Sequence, residues 1–255
     1  MYINNISIVF YLIIGLCGLL IGKFIAWTNI AYPKDEKIIL KNFWKNRKEV
    51  YKTQYITMFS IAIIYIALLY TFGIKNTFFQ NLDLIKFLVL TPMLISAFIV
   101  DLKHRIIPNR LNMTIFEVGI LFVFIYGINN ISIARDMILG MFTGAGIFLA
   151  ITLLGGLIAG KEAMGLGDVK FMGAIGLYFG VTAIAEISLL AFFIAAIISI
   201  AILLVRLVKK DTDEYIPFGP FLVLATLFVI FVGNGMVFKG FIGFCKILSS
   251  KIFGI

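Results

Sequence analysis

The stretch from Thr182 to Leu207 reads TAIAEISLLAFFIAAIISIAILLVRL. Its only ionisable residues are Glu186 and Arg206, and the rest is aliphatic, aromatic or small. A helix needs roughly 17–25 mostly apolar residues to cross the hydrocarbon core of a bilayer, and this run supplies them. Working outward, six more stretches have the same character, at about 6–28, 55–73, 84–101, 111–128, 136–158 and 217–235. An eighth, about 169–180, is short for a full crossing and needs support from its neighbours, with Gly180 placed to turn the chain into the next helix. The pattern predicts an all-α, polytopic membrane bundle of about eight transmembrane helices, forming one integral-membrane domain over residues 1–255.

Composition agrees. Of 255 residues, 62% are hydrophobic and 14% charged, against about 45–50% and 25% in soluble domains. Both a water-soluble globule and a disordered chain are excluded. No Lys or Arg precedes the first apolar run, which is also too long for a signal-peptide core, so it is read as a retained helix. Two distant cysteines, Cys17 and Cys245, and a single histidine, His104, argue against a disulfide framework or a zinc site.

The formal net charge of +9 reflects loop placement rather than a nucleic-acid partner. The basic loop at 29–54 carries Lys34, Lys37, Lys41, Lys45, Arg47, Lys48 and Lys52. Basic residues hold loops on the cytoplasmic side, which puts this loop inside and the N-terminus outside. Alternation then places the loops near 101–111, 159–170 and 206–216 inside as well. Together the four inside loops hold fifteen of the 22 Lys and Arg residues. An even number of spans leaves the tail at 236–255 outside, although it carries Lys239, Lys246 and Lys251. Lys239, Lys246 and Ser250 share one helical face, so it is read as an amphipathic interfacial helix.

In such a chain the informative residues are acids at the span ends, because ionisable groups at depth are costly. Asp101 closes TPMLISAFIVD, and Asp168 lies in KEAMGLGDVKF just before the short span. Both fall at cytoplasmic helix ends. Two adjacent carboxylates do not both ionise easily and tend to share a proton. One can then activate water while the other polarises a scissile carbonyl, without cofactor or metal. Gly165 and Gly167 remove side chains beside Asp168, so a substrate backbone can approach. Taken singly, Asp101 also reads as an interfacial residue and Asp168 as a helix cap.

Three segments, in order, narrow the reading: VDLKHRIIPNRLN (Val100–Asn112), GKEAMGLGDVK (Gly160–Lys170) and IPFGPFL (Ile216–Leu222). Together they resemble the prepilin peptidases, the GxGD-type aspartic proteases of bacterial membranes, whose protease core would occupy about 84–235. The resemblance implies an aspartic endopeptidase that removes the leader of type IV prepilins or pseudopilins, multi-pass in the plasma membrane, with its active site at the cytoplasmic face. It makes Asp101 and Asp168 the catalytic pair. The N-terminal match is poorer: in GKFIAWTNIAYP (Gly22–Pro33), Lys23, Ala26 and Ala31 replace the family's Ser, Asn and Arg, and the following loop lacks the cysteine pairs many members carry. N-methylation of the mature pilin, with S-adenosylmethionine as donor, is left open.

Lys103, Glu162, Lys170 and Pro217 stand near these motifs as possible support for substrate or for the acids. Each also reads as ordinary loop charge, solvation or a helix entry. Glu117 and Glu186 lie inside spans without an assigned role. The alternatives are a presenilin-like protease, which expects Tyr before the first acid where this chain has Val100, and a proton-coupled transporter or channel using Asp101 and Asp168 as relays. The latter expects acids near mid-bilayer. A purely structural subunit leaves the GxGD context without a purpose.

Overall fold

The structure, a computed structural model, describes residues 2–4, 6–31, 47–159, 164–208, 217–233, 235–236 and 238–240. A two-stranded hairpin, β1 (Tyr2–Ile3) and β2 (Ile6–Ser7), precedes α1 (Ile8–Ala31), α2 (Arg47–Phe72), α3 (Leu82–His104) and α4 (Asn109–Asn129). Then come α5 (Ile131–Ala159), α6 (Leu166–Val208) and α7 (Gly219–Val232). The helices α1 to α6 are long and apolar enough to cross a membrane. One hydrophobic core draws residues from every helix, from Tyr11 in α1 to Ile230 in α7. The chain is an all-α polytopic membrane bundle.

One correction to the sequence reading follows. The expected span at 217–235 is a 14-residue helix, about 21 Å long at 1.5 Å per residue. That falls short of a hydrocarbon core of about 30 Å. Pro220 sits in its first turn and Gly233, at φ 87°, ends it. The stretch at 29–54 separates the candidate spans Ile8–Ile30 and Gln54–Phe72, with α1 running to Ala31 and α2 beginning at Arg47. The remainder of that loop, and residues 241–255 of the expected tail, lie outside the described residues.

The short span does turn into its successor at Gly180, whose φ of 77° and ψ of −177° interrupt α6. The direction of the turn follows from what α5 touches. Gly140 packs on Gly176, and Gly144 on Met172, so α5 runs antiparallel to residues 166–179. Gly144 also meets Ile184, and Phe148 stacks on Phe192, so α5 runs parallel to residues 181–208. The chain therefore reverses at Gly180. Asp136 of α5 covers the break by accepting the Val181 N–H at 3.3 Å. Exposed backbone inside a bilayer must find such a partner.

Small residues set the closest approaches. Gly18 and Gly22, one helical turn apart on α1, lie against the backbone of Ala62 and Met58 of α2. Gly140 and Gly144 do the same for α5 against α6. Both are small-xxx-small seams, which bring membrane helices together where lipid and side chain are equally apolar. In α3, Pro92 has no N–H to offer the Leu88 carbonyl one turn earlier. The Tyr65 hydroxyl of α2 donates to that carbonyl instead, at 2.6 Å. At the same end as the α2–α3 connection, Asp83 accepts from both Lys86 (2.9 Å) and Tyr126 (2.6 Å).

Candidate active site

Asp101 occupies the last turn of α3, and the helix stops because Arg105 adopts a left-handed conformation, φ 57°. The Arg105 N–H closes the turn on the Asp101 carbonyl at 2.8 Å. The chain then runs through Ile106 and Ile107 to Pro108, which is extended (φ −62°, ψ 135°) and starts α4 at Asn109. Asp168 lies in the first turn of α6, and its N–H donates to the Gly165 carbonyl at 3.0 Å. Two helix ends separated by 67 residues of sequence thus meet at one end of the bundle.

They meet because α4 and α6 are tied along their length. Lys170 donates to the Asn109 amide oxygen at 3.0 Å. Asn112 donates to the Gly167 carbonyl at 3.2 Å. Further along, the Tyr178 hydroxyl donates to the Ile115 carbonyl at 2.8 Å. A cavity of about 470 Å³ opens between the two helix ends, with Asp101, Arg105, Gly165, Gly167 and Asp168 among the residues that line it. The two carboxylates lie close enough to interact electrostatically. Asp101 is 4% exposed, so its charge is held away from bulk solvent.

The third sequence segment completes the site. The backbone N–H of Gly219, in the first turn of α7, donates to Oδ2 of Asp101 at 2.9 Å. A methyl group at position 219 would lie 2.5 Å from that oxygen. Gly219 is therefore the residue of the IPFGP segment that touches the acid, while Pro217, partly buried, only leads the chain into α7. Neither Gly165 nor Gly167 is forced by packing: a methyl at 167 would meet Ile107 at 3.5 Å and one at 165 would meet Asp168 at 3.6 Å, both ordinary contacts. What their small size does is leave the cavity beside Asp168 open.

The other sequence candidates are placed as follows. Lys170 lines the cavity; Lys103 is exposed and does not. Glu162 lies outside the described residues. Glu117 is exposed on α4. Glu186 is fully buried and accepts the Gly235 N–H at 3.1 Å, so it fastens α6 to the segment after α7. Asn109, with Pro108, reads in the sequence as the turn before α4; Asn112 and Gly219 are not singled out there, since a lone Asn or Gly near a helix start carries no signal until its partner is known.

The bundle thus brings two aspartates, each at the end of a membrane helix, to the lining of one cavity. Residues 88–204 match the model of the type IV leader peptidase family. The prepilin leader peptidase/N-methyltransferase of Aeromonas hydrophila is 28% identical over 149 residues, 58% of this chain and 50% of that protein. Its namesake from Legionella pneumophila is 31% identical over 148 residues, 57% and 49% of the two chains. The type 4 prepilin-like proteins leader peptide-processing enzyme of Escherichia coli is 25% identical over 145 residues, 57% and 51%. The chain spans about half the length of the curated relatives it matches. No solved structure matches it.

Proposed function

We propose that the chain is an aspartic endopeptidase that removes the leader peptide of a type IV prepilin or pseudopilin. The observation that carries this is the shared cavity of Asp101 and Asp168, within a region matching the type IV leader peptidase family. In the reaction one aspartate is ionised and the other protonated. The ionised carboxylate takes a proton from water as its oxygen attacks the scissile carbonyl carbon. The protonated carboxyl gives its proton to the carbonyl oxygen. As the C–N bond breaks, one hydroxyl of the resulting diol gives its proton to the ionised carboxylate and the leaving amine takes the proton of the other, which restores the pair. The proton belongs to the pair rather than to either residue. Water is the only co-reactant.

The reading includes the cytoplasmic face of the bacterial plasma membrane as the place of cleavage. Its support is the concentration of Lys and Arg in the loops on the aspartate side. A proton relay through the bilayer would want the acids at mid-span. Asp101 falls in the last turn of α3 and Asp168 in the first turn of α6, so hydrolysis at a membrane face fits better. N-methylation enters through the relatives' names. The family-matched region, 88–204, leaves out the N-terminal segment where this chain departs from the family pattern. We carry over the peptidase, and with it no methyl donor.

The test is coexpression with prepilin-type substrates, read by gel mobility and N-terminal sequencing. Substituting either aspartate by Asn should abolish leader removal while the protein stays in the membrane. Retained processing in Asp101→Asn or Asp168→Asn would contradict the assignment. Mass measurement of the mature N-terminus reads whether a methyl group has been added.

A further inference from the structure

The peptide unit ahead of Asp168 is pinned on both of its edges. Its N–H donates to the Gly165 carbonyl at 3.0 Å. Its oxygen, the Gly167 carbonyl, accepts from Nδ2 of Asn112 at 3.2 Å. A peptide unit is planar, so these two bonds fix the plane that carries the Asp168 Cα. The loop has little else to hold it. Gly165 and Gly167, which leave the cavity open, have no side chains to pack, and Leu166 between them is exposed. The tie from Lys170 to Asn109 joins two exposed residues, where water competes for both partners. The Asn112 bond is made from inside the bundle.

Asn112 is poorly suited to its place as a packing residue. It is 4% exposed, and its α4 neighbours Leu111 and Ile115 are buried with it. Its Oδ1 has no partner among the described residues, and a buried polar atom left so destabilises a fold. Asn is also a weaker helix former than Leu, whose side chain has the same branching without the polar atoms. Among the described residues, the one bond this side chain makes is to the Gly167 carbonyl. Resting on the protease reading above, we propose that Asn112 is a positioning residue for Asp168: it holds the Gly167–Asp168 peptide against α4, so that the Asp168 carboxylate meets Asp101 across the cavity. A loop kept free of side chains for access is thereby made rigid from the neighbouring helix.

Asn112→Leu and Asn112→Ala both remove the donor but fill the space differently, and this separates positioning from packing. The test uses the full chain in lipid nanodiscs with a prepilin-type substrate, followed by gel mobility. Both variants should lower kcat by roughly 10- to 100-fold, the scale for a reacting group displaced by up to about 1 Å. KM should stay where it was, since Asn112 is buried. Thermal midpoints should part, with Asn112→Leu at or above the unsubstituted chain and Asn112→Ala below it. Should Asn112→Leu fail to insert, Asn112→Ala decides alone, by kcat per folded protein. An unchanged kcat in either variant, a raised KM with kcat unchanged, or rates that follow the midpoint overturn the role of Asn112 and leave the protease reading in place. An unsubstituted chain that cuts no prepilin-type substrate defeats both.

Discussion

The carboxylate of Asp101 is held by the backbone N–H of Gly219, 2.9 Å away across 118 residues of sequence. An acid at the end of α3 is thereby fixed by the first turn of α7, and three motifs that are far apart in the chain become one site.

Gly219→Ala is expected to cripple leader removal. The new methyl would lie 2.5 Å from Oδ2 and 2.9 Å from Cγ of Asp101, so the carboxylate or α7 must shift. Misplacing a reacting group by about 1 Å costs on the order of 10²-fold in rate. Gel-shift kinetics should show that loss with the protein still inserted. Wild-type rates in this variant would separate Gly219 from catalysis.

A bell-shaped pH profile is expected for cleavage. In the proposed mechanism the pair works with one proton between two carboxylates. Activity falls as pH drops, when both are protonated, and falls again as pH rises, when both are ionised. Rates measured on purified protein in lipid nanodiscs check this; a profile with a single limb would argue for one acting acid.

Gly180→Ala should destabilise the bundle. The φ of 77° is strained for any residue with a side chain, and the added methyl would run into the Asp136 carboxylate. A cost of about 1–3 kcal/mol is the usual scale for such backbone strain. Thermal unfolding in detergent should show a clear drop in midpoint, and Asp136→Ala a smaller one, since it removes only the bond to Val181.

Tyr65→Phe tests the repair of the proline break in α3. Removing the hydroxyl leaves the Leu88 carbonyl without the donor that replaces the missing Pro92 N–H, at a cost of about 1 kcal/mol, typical of hydrogen bonds between membrane helices. In a double-mutant cycle the loss should shrink when Pro92→Ala restores the helical donor. Equal losses in both backgrounds would show that the hydroxyl does something else.

Sequence patterning carried the helices and the acids, and physical reasons explain why it stopped there. Asp101 and Asp168 stand out because carboxylates next to apolar runs are rare and costly. The turn at Gly180 was legible because a glycine divides two apolar stretches. Long-range pairings were not. Nothing local marks Gly219 as the partner of Asp101, or Tyr65 as the donor to a carbonyl orphaned by Pro92. The glycine seams of α1 and α5 appear in the sequence as small residues four apart, but their partners, Ala62 and Met58 in one case and α6 in the other, emerge only from packing. The length of α7 was overread because the apolar run from 217 to 235 continues past the glycine that ends the helix.

The bond from Gly219 to Asp101 also bears on how the protein is made. Synthesis delivers α3 long before α7, so a growing chain holds both acids while one of them is still unfastened. If the proposed function holds, a chain in which α7 has not yet packed beside α3 lacks the backbone donor that fixes its first acid, and late assembly would then hold back hydrolysis until the bundle is complete.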